Sequence, residues 1–162
     1  MRRLLKIRFV LGLIVLFCLT LPAAASNEVP FVGSVVGHVV LATPQDSEHV
    51  LFDVEVSGHA THLGLFTGEA QVLQNFVDGS YTGAFTWTAA NGDTIFGTFQ
   101  GQLVPTDTPG VFDNLETSIV TGGTGRFAGA TGTATMTGQL DTISLSFLYP
   151  INGTISSVGS SK

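Results

Sequence analysis

A period of two restricts this chain more than any other feature. Over residues 50–57, Val50, Phe52, Val54 and Val56 fall on one side, and Leu51, Asp53, Glu55 and Ser57 on the other. Successive strand side chains point to opposite faces, so this run predicts a strand with one buried and one wetter face. The alternation recurs at 80–90, where Tyr81, Phe85 and Trp87 share a face opposite Thr82, Thr86 and Thr88. At 94–103 the shared face is Ile95, Gly97, Phe99, Gly101 and Leu103. No long segment has a helical period, and Thr, Val and Phe, which suit pleated half-buried positions, are abundant.

Turn residues cut this pattern at short intervals. Asp78-Gly79 and Asn91-Gly92 are hairpin signals. Loops are expected at 43–47, at 58–64 around His59 and His62, and at 104–113 with Pro105 and Pro109-Gly110. Strands are expected at 29–42, 50–57, 65–77 (Phe66, Ala70, Val72 and Phe76 on one side), 80–90, 94–103, 114–121 and 131–140. The last strand, 144–157, is expected to break near Pro150, with Asn152-Gly153 as a turn rather than part of a glycosylation acceptor. About eight strands in sequence, joined mainly by short turns, predict an all-β fold: a single antiparallel closed β-barrel. Closure is preferred to a sandwich because it removes exposed edges. Gly97 and Gly101, opposite large aromatics, would give room inside the closed sheet.

Residues 1–25 read as a signal peptide, and 26–162 as the β-barrel domain. Arg2, Arg3, Lys6 and Arg8 precede an apolar run at 9–21, and Ala23-Ala24-Ala25 supplies small residues for cleavage before Ser26. The run is shorter than the ~20 apolar residues of a membrane span. Phe17 before Cys18 does not suit lipoprotein processing, so no stable membrane anchor is expected. The expected location is secreted or periplasmic. Cleavage leaves a cysteine-free mature chain in which twelve Asp and Glu face only Arg126 and Lys162. So acidic a surface repels phosphate backbones, which argues against nucleic-acid binding.

The densest glycine cluster is Thr121-Gly122-Gly123-Thr124-Gly125-Arg126-Phe127-Ala128-Gly129-Ala130-Thr131-Gly132. Gly122, Gly123 and Gly125 can reverse the backbone, so it reads as a sharp structural turn between two strands, with Phe127 re-entering an apolar environment. Residues 118–125 also look like the strand-and-loop opening of a dinucleotide site. Such a site needs a helix next, and the Gly/Ala/Thr run that follows is a poor helix former.

The stretch 122–132 resembles the glycine turn and following strand of the allene oxide cyclase/dirigent-like eight-stranded β-barrel family. It is most similar to bacterial secreted members of unknown function, as are residues 58–64 and 88–93. The resemblance implies an eight-stranded antiparallel barrel. For activity it implies either fatty-acid epoxide cyclisation without cofactor, using a carboxylate and an ordered water, or the steering of phenoxy-radical coupling by acidic side chains. No catalytic residue of either activity matches this sequence position by position, so the catalytic residues stay unknown. The family's frequent trimers hint at a homo-oligomer.

His38, His49, His59 and His62 share a short window, but on a strand His59 and His62 would point to opposite faces. No metal site and no cofactor are expected. Arg126 is read first as a pin for the glycine turn, through a carboxylate or strand-end carbonyls, and otherwise as an anchor for a ligand carboxylate at the barrel mouth. Trp87, Tyr81, Phe85 and Phe99, with Phe66 and Phe76, either pack the core or line a ligand cavity. The leading functional expectation is non-catalytic binding of a small apolar or amphipathic ligand. The alternatives are a cofactor-free isomerase or cyclase, requiring an inward carboxylate, and a surface or matrix interaction protein, favoured by a filled interior.

Overall fold

The alternating segments form eight strands: β1 Glu28–Pro44, β2 His49–Ala60, β3 Gly64–Asn75, β4 Ser80–Ala89, β5 Thr94–Pro105, β6 Val111–Gly123, β7 Gly132–Asp141 and β8 Ser146–Ser156. Each pairs antiparallel with the next, and β8 returns to β1 from Glu28↔Ser156 to His38↔Ser146, closing a barrel. This computed structural model describes residues 27–156; the expected signal peptide and the segment 157–162 lie outside the described residues. Among the described residues the one helical segment is a 3-10 turn, Gly125–Phe127, and no helix is long and apolar enough to cross a membrane.

Aromatic rings and glycines share the inward face. Gly68↔Trp87, Gly83↔Phe99, Phe85↔Gly97 and Tyr81↔Gly101 are direct cross-strand partners. A Cβ at Gly83 would strike the Phe99 ring, and one at Gly101 the Tyr81 ring. Each ring lies across the bare backbone of its neighbour, which suits a tightly curved sheet.

Several boundaries differ from the sequence expectation. The loop expected at 104–113 shrinks to 106–110 because Pro105 still pairs with Phe112. Phe76, expected on the inward side of its strand, stands in the β3–β4 connection with 63% of its surface exposed. β8 runs unbroken through Pro150, so Asn152-Gly153 is mid-strand and not a turn. Pro150 is tolerated because the β7–β8 ladder skips from Met136↔Ile151 to Gln139↔Leu148, and no partner there needs its missing N–H. Gly153 fits mid-strand because its missing Cβ lets the Thr133 carbonyl and Ala134 approach.

The glycine cluster also departs from a sharp turn. Gly122 and Gly123 complete β6 opposite Phe96 and Ile95, and the chain crosses to β7 through the 3-10 turn. Gly125 and Gly129 have φ of +56° and +75°, so the reversal is spread over the whole connection. Phe127 turns inward there and is fully buried.

The two ends of the barrel therefore differ. At one lies Phe127, in one buried cluster with Phe31, Leu63, Ile95 and Ile155, all nearly inaccessible. The start of β1, the end of β8 and the β2–β3, β4–β5 and β6–β7 connections gather at this closed end. The loops 45–48, 76–79, 106–110 and 142–145 surround the other end, which is open.

Candidate functional site

A cavity of about 310 Å³ occupies the open half of the barrel. Its wall is mostly apolar: Val54, Val72, Phe85, Trp87, Phe99, Met136 and Phe147 are among its residues. Phe85 and Trp87 lie at 4.9 Å between centroids, and Phe147 stacks on Tyr149 at 4.4 Å. Phe76 and Leu145 stand at the rim, beside exposed Val77 and Ile143. This is the size and chemistry of a small-ligand chamber, a greasy wall with few polar groups.

Polar groups reach the wall from several strands, Gln74 and Asn75 from β3, Tyr81 from β4 and Tyr149 from β8, and three come from β6 alone. β6 turns Asn114, Glu116 and Ser118 inward, across from Leu103, Gly101 and Phe99 of β5. Because Gly101 has no side chain, the Tyr81 ring passes over it from β4 and brings its hydroxyl to β6. That oxygen lies 2.6 Å from Asn114 Oδ1 and 3.0 Å from Glu116 Oε2. Asn114 Nδ2 donates to the Met136 carbonyl at 3.3 Å, and Ser118 Oγ donates to Glu116 Oε1 at 2.8 Å.

Burial governs the protonation of this cluster. Desolvation raises the Glu116 carboxyl above its ordinary value of 4.5, against the opposing hydrogen bonds from Ser118 and Tyr81. Tyr81 and Tyr149 are both held neutral, first by burial and then by the negative charge Glu116 acquires on ionising. The Tyr81 hydroxyl is shared between Asn114 Oδ1, its shorter contact, and Glu116 Oε2. The contacts run from Glu116 through Tyr81 and Asn114 to the Met136 carbonyl.

Of the residues singled out in the sequence, Trp87, Tyr81, Phe85 and Phe99 line this chamber and are also buried. Phe66 stacks on Trp87 at 4.5 Å but is not on the chamber wall. Arg126 is not at the mouth. It lies at the closed end, where Nη2 donates to the carbonyls of His62 and Leu63, both at 3.2 Å. Its Nη1 approaches Asp93 at 3.7 Å, and its guanidinium lies 4.8 Å from the Phe127 ring centre. Gly122, Gly123, Gly125 and Phe127 build the adjoining connection and are likewise remote from the chamber.

The histidines are dispersed. His49 meets Asp46 at 3.0 Å, His59 Nδ1 lies 3.3 Å from Ser34 Oγ, and His38 is 3.6 Å from Glu55. Among the described residues no three His, Cys, Asp or Glu side chains gather as metal ligands would.

Sequence reasoning missed Asn114, Glu116 and Ser118. The available signal was their spacing at every second residue of one strand, three polar positions on a single face. No family model, curated protein or solved structure matches this chain.

Proposed function

We propose that this protein binds a small amphipathic ligand in the open half of the barrel, with the ligand's apolar body against the rings and its polar head at Glu116. One observation carries the reading: a roomy apolar chamber in which Asn114, Glu116 and Ser118 of β6 cluster with the Tyr81 hydroxyl of β4. Apolar walls supply affinity, and a few placed polar groups supply orientation. The closed eight-stranded antiparallel barrel supports the resemblance to the allene oxide cyclase/dirigent-like family, although no site residue carries over from it. An exported setting, secreted or periplasmic, belongs to the same proposal and rests on residues 1–25. The open chamber does not favour the surface-only alternative, which was tied to a filled interior.

A second reading has a specific observation behind it. A carboxyl whose pKa is raised by burial is a candidate general acid, so cofactor-free isomerisation of a bound ligand is the catalytic alternative.

Trp87, the only tryptophan, reports on the chamber directly. Phenylbutanol added to the protein should change Trp87 emission saturably. Ala70→Trp, which fills the chamber from β3, should abolish displacement of a bound hydrophobic dye by the alcohol while circular dichroism is retained. Undiminished displacement in that variant rules the chamber out as the site.

A further inference from the structure

The charge of the chamber and of its entrance is one-sided. Among the described residues Glu116 is the only carboxylate on the wall, and no Lys, Arg or His lines it. The other titratable groups facing it are two phenols, Tyr81 from β4 and Tyr149 from β8; β1, β2, β3, β5 and β7 present none. Its hydrogen-bond partners, Tyr81 and Ser118, are neutral, and it takes part in no ion pair among the described residues.

The open end continues the pattern. Asp46, Glu48, Asp78 and Asp107 lie in its loops, Asp141 ends β7 beside them, and His49, held by Asp46, starts β2 there; among the described residues no Lys or Arg lies at that end. Arg126, the one Arg or Lys of the described residues, is occupied at the closed end by the His62 and Leu63 carbonyls. Charges of one sign around a low-dielectric mouth focus the potential into it and raise the local concentration of counter-ions. Inside, aromatic rings offer the negative faces that attract cations.

We propose that the ligand is an amphipathic organic amine, whose ammonium group is received by Glu116 and whose hydrocarbon body lies against Tyr81, Phe85, Trp87 and Phe99. The inference rests on the chamber being the binding site and adds the chemistry of the ligand's head. A carboxylate enclosed without a counter-charge is costly, and the ammonium brings that counter-charge in with it. A ligand carboxylate would instead bring its own negative charge against a wall that, among the described residues, holds no cation to answer it. Proton balance follows from the same geometry. Burial raises the proton affinity of Glu116 in the empty chamber and an ammonium beside it lowers that affinity again, so entry of the amine favours release of a proton from the carboxyl to solvent.

Three probes with one body separate the possibilities: phenylbutylamine, phenylbutanol and phenylbutyrate, titrated into the protein by calorimetry with Trp87 emission as a second readout. The amine should bind at least about ten-fold more tightly than the alcohol, the increment of one charge-assisted hydrogen bond, and the carboxylate more weakly than either. Heats in buffers of different ionisation enthalpy should show proton release for the amine alone. Glu116→Gln, which keeps the shape of the neutral carboxyl, should abolish the amine's advantage over the alcohol, both measured in the variant, and abolish proton release. Neutralising the entrance with Glu48→Gln and Asp107→Asn should slow amine association at low salt and leave the alcohol unaffected. Equal affinity for amine and alcohol overturns the cationic ligand while leaving the chamber as the site. Tightest binding of the carboxylate does the same. Failure of all three probes to bind overturns both readings.

Discussion

Replacing Phe127 by alanine tests whether the glycine-rich connection is structural. The ring is fully buried at the closed end, among side chains that are themselves nearly inaccessible. A phenylalanine buries ~150–250 Å², worth about 4–6 kcal/mol at ~25 cal/mol per Å², and alanine retains a small part of that. Measured Phe→Ala substitutions in cores cost about 3–5 kcal/mol, so a loss of about 4 kcal/mol is expected. This is about a quarter or more of the ~5–15 kcal/mol that holds a typical domain together. With a urea slope of about 2 kcal/mol per molar, the unfolding midpoint should fall by roughly 2 M. Phe127→Leu should cost less than about 1.5 kcal/mol, because it nearly conserves the packing. Binding of phenylbutanol in the opposite half should persist wherever the variant is folded. A loss below about 1 kcal/mol for Phe127→Ala would refute the reasoning: the connection would then rest on the barrel as a loop instead of sealing it.

Arg126→Ala should destabilise by about 1–2 kcal/mol in urea unfolding, since it removes hydrogen bonds from a charged donor to two backbone carbonyls while the accompanying Asp93 pair is partly exposed. It should leave phenylbutanol affinity unchanged, and a large drop in affinity would return Arg126 to the binding machinery. Glu116→Gln should change the pH dependence of stability with a definite sign. The folded carboxyl holds its proton to higher pH than the unfolded one, so wild-type stability falls as pH rises from the ordinary value of 4.5 through the raised folded value. The variant lacks that slope and should gain in melting temperature over wild type as pH rises through this window; identical pH profiles would contradict it. Asp46, Asp78 and Asp141 are lowered chiefly by hydrogen bonds from Glu48, Ser80 and Ile143 in their own turns. They favour the folded state above their ordinary value and lose that as pH falls, equally in both proteins.

Much of the barrel was legible because its early strands put large side chains inward at every second position. Val50, Phe52, Val54 and Val56 face inward, as do Tyr81, Phe85 and Trp87. β6 was harder to read for a physical reason. Its inward residues are Phe112, Asn114, Glu116, Ser118 and Val120, while Leu115 and Ile119 point outward and are substantially exposed. Alternation of hydropathy alone favours the wrong face. Pairing with β5 fixes the facing, through Gly101↔Glu116 and Phe99↔Ser118 after a bulge at Phe96 and Gly97. No local pattern encodes that register. Arg126 was identifiable as a turn pin from its neighbours, but the end of the barrel it occupies depends on the strand count before it. The break expected in β8 came from weighing Pro150 and Asn152-Gly153 as punctuation, where a gap in the β7–β8 ladder accommodates the proline.

The account depends most on a single carboxyl enclosed by apolar walls without a counter-charge. Infrared difference spectroscopy of the ligand-free protein against Glu116→Gln reads that group directly. The protonated-carboxyl stretch should persist in wild type at pH values well above those at which exposed carboxylates have ionised, and it should be missing from the variant. A Glu116 signal that ionises with the surface carboxylates would mean a wet, ordinary site and would contradict the chamber as described.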